Sequence, residues 1–186
     1  KLLADNLVQP NGLCVYCAAD EADQLPQPKK QPKTPDKQQI RAEQELAMRI
    51  LSRKRMLPFV EKFNPDYQAG WVHKDICNRL EKFSQDVADQ KSPRLMLFMP
   101  PRHGKSTLAS VAFPAWHLGR NPGHEFISCS YSGSLAMSFS RKVRQVLREP
   151  TYKSIFESTK LDKDSQSVES WQTTQGGGYV AAGVGG

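Results

Sequence analysis

Residues 94–107 read RLMLFMPPRHGKST, an apolar run that passes through a proline pair into a glycine, a lysine and two hydroxyl residues. The apolar part, 94–99, is bounded by Pro93 and Pro100 and is predicted to be a fully buried strand. From Lys105 to Leu118 the residues Leu108, Val111, Ala112, Ala115 and Leu118 fall on one helical stripe, which Pro114 kinks or shortens. A glycine-bearing loop between a buried strand and a helix start is suited to anions. Consecutive backbone N–H groups converge there, a glycine lets the main chain come close, and the helix dipole favours negative charge.

The loop at 100–107 is therefore expected to bind a nucleoside triphosphate, ATP, with Mg²⁺. Lys105 would reach the β and γ phosphates as a mobile point charge, and the Ser106 hydroxyl would complete the Mg²⁺ shell. Pro101, Arg102, His103, Gly104 and Thr107 complete the expected nucleotide contacts. The strict pattern G-x-x-x-x-G-K-[ST] would place its first glycine at position 99, where this chain has Met99. Arg102 has two readings: stabilising charge on the γ-phosphoryl group, or bracing the loop through a carboxylate. His103 is assigned contact only. Upstream, Tyr67 and Gln68 form a candidate base-reading pair, since a Gln amide can donate and accept at once and a Tyr ring can stack on adenine.

The rest of the chain supplies context. Residues 1–36 interleave prolines with lysines and are read as a flexible basic leader. Residues 37–63 form a helical segment in which Ile40, Ala47, Ile50, Leu51 and Leu57 can share a face before Pro58 ends the run. Residues 64–186 are read as a partial ATPase domain. A helix with Val72, Ile76, Leu80, Phe83 and Val87 on one face should pack on a sheet. EFISCS at 125–130 is the next strand, and 133–148 a helix with Leu135, Phe139, Val143, Val146 and Leu147 inward. Two late segments, 167–173 and 178–184, could pair as a hairpin. The β-α-β-α pattern predicts an α/β fold with a largely parallel sheet.

Lys and Arg number 26 against 19 Asp and Glu, a formal charge of +7 that favours polyanionic partners. The basic runs 49–55 and 141–148 could contact a duplex backbone or could be solvated helix faces. Cys14, Cys17, Cys77 and Cys129 are too few for a disulfide framework and suit a reducing compartment. Cys14 and Cys17 make half of a zinc site with no second half. His73, His117 and His124 stand singly and are read as packing or surface residues. No apolar stretch approaches the ~20 residues of a membrane span, so no membrane partner is expected. The chain starts at Lys1 without an initiator Met and stops in a Gly-rich run, so both ends are expected to be cut from something longer.

From about Asp66 to Gly186 the chain resembles the large subunit of tailed-bacteriophage terminase, the motor that packages viral DNA. The resemblance rests on YQAGWVHKDICNRLE, SPRLMLFMPPRHGKST, FPAWHLGRNP, FISCSYSGSLAMSFSRKVR and GGGYVAAGVGG. In that family PPRHGKS looks like a deviant Walker A loop lacking its first glycine. The resemblance matches Tyr67 and Gln68 to an adenine-reading pair and Arg102 to a loop arginine that some members carry one residue earlier, where this chain has Pro101. It implies a P-loop NTPase of the ASCE (RecA-like) type, truncated before Walker B and preceded by N-terminal helices.

In the intact protein, ATP hydrolysis would drive double-stranded viral DNA through a portal protein into a procapsid, and a downstream metal-dependent nuclease domain would cut concatemeric DNA. The implied partners are portal, terminase small subunit and further copies in a ring. The place of action would be the host bacterial cytoplasm, transiently at the procapsid portal. The rivals are another nucleic-acid-dependent P-loop ATPase, such as a helicase, and a binding module whose loop has decayed. The motor reading is expected to stand only if two structural demands hold: residues 94–99 in a sheet, and the Lys105 side chain facing a concave, amide-lined hollow.

Overall fold

The computed structural model describes residues 36–184. Residues 1–35 of the leader, with the Cys14–Cys17 pair, and the last two glycines lie outside the described residues. Helix α1 (Lys37–Lys54) and helix α2 (Met56–Phe63) meet at Arg55, whose φ of −124° and ψ of 135° break the helical path. Pro58 does not end the run as expected. It sits in the first turn of α2, where a missing N–H costs nothing because that donor has no intrahelical acceptor anyway. The expected apolar face of α1 is also not buried: Ile40, Ile50 and Leu51 are exposed, and Ser52 is its buried residue. What holds the end of α1 is polar. Ser52 O accepts from Trp116 Nε1 at 3.0 Å, and Arg53 Nε donates to Ile155 O at 2.7 Å.

Helix α3 (Trp71–Ala88) buries Ile76, Cys77 and Leu80, close to the stripe read from the sequence. It packs on helices rather than on a sheet. Glu81 takes the Met56 N–H at 2.7 Å, and Phe83 meets Phe113 edge-on with ring centroids 6.0 Å apart. Cys77 is fully buried among these helices, and burial pushes its thiol up to about 12, so it acts as a small apolar side chain.

The expected strand at 94–99 has no ladder partner among the described residues and lies outside the sheet. Its side chains still alternate. Leu95, Leu97 and Met99 pack against the core, whereas Met96 and Phe98 are 81 % and 88 % exposed. A continuous apolar run suggested burial on both sides, but the backbone is an extended segment covered on one side. An apolar run cannot by itself reveal whether a neighbour will offer a hydrogen-bonding edge.

After the loop the helix begins at Lys105, widens into a π-helical turn at Thr107–Ala112, and continues as α4 (Phe113–Arg120). Pro114 shapes this transition. Its ring would clash with the carbonyl four residues back in an α-helix, and the wider turn relieves that clash. Phe113 N–H reaches Leu108 O, five residues back.

The sheet contains β1 (Glu125–Ser130), β2 (Leu161–Gln166), β3 (Ser170–Thr173) and β4 (Gly178–Gly183) in the order β1-β4-β3-β2. β1 and β4 run parallel, while β4–β3 and β3–β2 are antiparallel. The sheet is therefore mixed, not largely parallel. The late hairpin expected from the sequence forms as β3 and β4, and it turns the sheet antiparallel. Its register places Phe126, Tyr179 and Trp171 in one row, with Phe126 stacked on Tyr179 at 5.7 Å and Tyr179 on Trp171 at 5.2 Å. Helix α5 (Gly133–Arg148) packs on the sheet through Ala136, Ser140, Val143 and Leu147. The alternate sheet residues Ile127 and Val180, cross-strand neighbours, are exposed. A short helix α6 (Pro150–Ile155), which the sequence reading missed, closes the core with buried Tyr152 and Ile155.

Candidate anion-binding site

The loop between the extended segment and the helix start has two residues with positive φ, Arg102 at 63° and Gly104 at 78°. A left-handed residue within a turn can direct neighbouring N–H groups to one side, the arrangement used by anion nests. Gly104 tolerates this conformation because it lacks a Cβ, whereas Arg102 holds it at a steric cost. Pro100, Pro101, Arg102, Gly104, Lys105, Ser106 and Thr107 line a hollow of about 340 Å³. Lys105 is half-buried in its wall, at the helix start, and Ser106 and Thr107 are exposed beside it. Lys105 is among the residues that line this hollow.

His103 is predicted only to touch ligand, and its side chain is occupied within the loop. Its Nδ1 bonds the Pro101 carbonyl at 2.8 Å. The His103 carbonyl in turn accepts from His73 Nε2 at 3.2 Å, and His73 Nδ1 accepts the Gly70 N–H at 3.1 Å. His73 was expected to be a packing or surface residue, and the structure instead ties it to the loop. Sequence offered one signal for half of this role. His73 is the third residue of α3, where a side-chain acceptor can reach back to the N-cap amide.

Tyr67 lies against His73, ring centroids 5.7 Å apart and edge-on, and its hydroxyl oxygen is 3.8 Å from where a Cβ on Gly104 would sit. That hydroxyl is buried with no hydrogen-bond partner among the described residues. Burial raises its pKa above the ordinary tyrosine value. The structure thus brings Tyr67 to the loop. Gln68 is exposed. Arg102 is exposed too, and among the described residues no carboxylate braces it.

The other two histidines lie away from the loop. His117 is buried and forms a chain with Ser84 at 2.8 Å and His124 at 3.2 Å. Among the described residues no group of three or more His, Cys, Asp or Glu side chains could hold a metal. Any Mg²⁺ here would rely on Ser106 together with phosphate and water oxygens, a set that suits this ion.

Residues 96–173 match the family model described as terminase large subunit, T4-like-virus type, N-terminal. No curated protein and no solved structure gives a match. Among the described residues no helix is long and apolar enough to cross a membrane. The matched span opens within the extended segment, takes in the whole loop and α5, and ends at the last residue of β3, so the family assignment and the hollow concern the same stretch of chain. Over that span the chain is similar to the N-terminal part of terminase large subunits, which suggests a role in DNA packaging.

Proposed function

We propose that residues 100–107 bind ATP with Mg²⁺ and that the chain is the nucleotide-gripping part of a DNA-packaging ATPase with a P-loop NTPase fold. The observation that carries this reading is the pair of left-handed residues, Arg102 and Gly104, flanking a hollow into whose wall Lys105 is set at a helix start. The family match supports it independently. The sheet demand on which the sequence reading made the motor depend is contradicted, because residues 94–99 stand outside the sheet. The reading therefore rests on the loop's own conformation and the family, not on a strand behind the loop.

In this reading the loop amides and the Lys105 ammonium hold the β and γ phosphates, and Ser106 donates an oxygen to Mg²⁺. Arg102, exposed at the rim, stabilises charge on the γ-phosphoryl group; the absence of a bracing carboxylate among the described residues favours that role over a structural one. Tyr67 and Gln68 contact the base from the segment before α3. Ser106 would hold Mg²⁺ through its hydroxyl oxygen, and the ion would supply neutralising charge at the phosphates.

Double-stranded DNA is the proposed cargo, with portal, small subunit and a ring of copies as partners. Within the 141–148 run, where Arg144 donates to Ser167 O at 2.9 Å, Arg141 and Lys142 are the proposed duplex contacts. Arg49, Arg53 and Arg55 are engaged with Glu45, Ile155 O and Glu81 within the chain. Arg141 and Lys142 are exposed on α5, and Arg141 borders a groove of about 370 Å³ with Arg144, Gln145, Arg148 and Val168.

Equilibrium titration with a fluorescent ATP analogue and Mg²⁺ tests the nucleotide reading. Wild type should bind, and Lys105→Ala should weaken binding by tenfold or more, because it removes the charge that faces the phosphates. Equal affinity of the two proteins would leave a decayed loop as the better description.

A further inference from the structure

A nest binds anions only while its carbonyl oxygens are turned away from the ligand. In this loop two carbonyls could turn inward, those of Pro101 and His103, because each precedes a residue with positive φ. Both are held by an imidazole nitrogen. His103 Nδ1 bonds Pro101 O at 2.8 Å, and His73 Nε2 bonds His103 O at 3.2 Å. The second contact spans thirty residues of sequence and ties the start of α3 to the loop.

The protonation pattern of His73 follows from its neighbours. Gly70 N–H can only donate, so His73 Nδ1 must present its lone pair, and the ring hydrogen then sits on Nε2. The His103 carbonyl can only accept, and Nε2–H faces it. In a planar trans peptide the C=O and the following N–H point in opposite directions. With the His103 carbonyl turned to His73, the Gly104 N–H is directed to the far side. Rotation of that peptide would be cheap at a glycine and would put an oxygen where the phosphate should lie.

We propose that His73 is a positioning residue that latches the 103–104 peptide in its anion-binding orientation, with Tyr67 packed against the ring as its support. This inference rests on the proposed nucleotide reading of the same loop. His73 touches no reacting atom. It acts through the Gly104 amide, and its contact with Tyr67 makes the base-reading segment and the phosphate loop parts of one unit.

Mg²⁺-ATP affinity of the full 186-residue chain tests this with four proteins: wild type, His73→Gln, His73→Met and Lys105→Ala. Gln at the third helical position can accept the N-cap amide while its NH₂ donates to the His103 carbonyl; Met has similar length and neither ability. His73→Met should weaken ATP about tenfold while the thermal midpoint stays near that of wild type, and His73→Gln should remain within about threefold. The latch is overturned if Met binds as wild type does, or if Gln and Met lose affinity equally. Should His73→Met fail to fold, His73→Gln decides alone: near-wild-type affinity supports the latch, and a tenfold loss overturns it. Lys105→Ala separates the two claims. If it binds ATP as well as wild type, the nucleotide reading falls and the latch with it. If Lys105→Ala loses ATP while His73→Met does not, the latch alone falls.

Discussion

Ser84 on α3 and His117 on α4 share a 2.8 Å hydrogen bond inside the core, and the far side of the His117 ring bonds His124 at 3.2 Å. Burial lowers the pKa of His117 to about 4, with His124 and Arg120 adding repulsion to any second charge. The ordinary value is 6.5, so between that pH and about 4 the unfolded chain carries a proton that the folded chain refuses. Stability is full above pH 6.5 and falls as pH drops through this window, by at most roughly 3 kcal/mol. Urea midpoints measured at pH 7 and pH 5 should show the loss. A His117→Gln variant, less stable at pH 7, should show a flatter pH dependence.

Trp171 and Ser140 predict a second stability effect. Ser140 Oγ accepts the Trp171 Nε1–H at 3.0 Å and donates to Val168 O at 2.6 Å. Ser140→Ala would strand a buried indole donor and a carbonyl under the aromatic row, at a cost of about 1–3 kcal/mol. Chemical denaturation should report that loss with the slope unchanged.

Gly119 near the end of α4 faces Phe156, and a Cβ there would lie 2.5–2.7 Å from three ring carbons. Gly119→Ala should therefore destabilise by about 1–3 kcal/mol through overpacking, despite alanine's better helix propensity. Adding Phe156→Leu should recover part of the loss in a double-mutant comparison, since the clash belongs to that ring.

These relationships mark what the sequence could and could not reveal. Gly104-Lys105-Ser106 located the hollow because a tight approach, a charge and a helix start are local properties of consecutive residues. The stripe on α3 was legible from period alone. The π-helical turn was not, although Pro114 announced a disturbance, because the form of relief depends on what packs around it. Pro58 misled for the opposite reason: the same residue ends a helix or begins one, depending on where the preceding break falls. Residues 94–99 carried the apolar content of a buried strand, but hydrogen-bond partnership is a property of the neighbours. His73 escaped notice as a loop contact because its partner lies thirty residues away, and only the Gly70 half of its role is local.

Arg141 and Lys142 predict salt-sensitive duplex binding. Reversing both charges to Glu should weaken DNA binding steeply at low salt. The slope of log affinity against log salt should become shallower by about 0.9 for each phosphate that the variant no longer neutralises. Fluorescence anisotropy with a short duplex across a salt series would measure both. An unchanged slope would place the DNA-binding surface elsewhere.

The central claim is that the main-chain amides at Gly104 and the helix start, with Lys105, form one phosphate pocket. Backbone amide NMR of the chain titrated with Mg²⁺-ATP reads those groups individually. The account predicts that the largest shifts fall on residues 102–107, Gly104 and Lys105 foremost, with His73 moving alongside them. Saturating shifts clustered on other residues, with 102–107 unmoved, would contradict it.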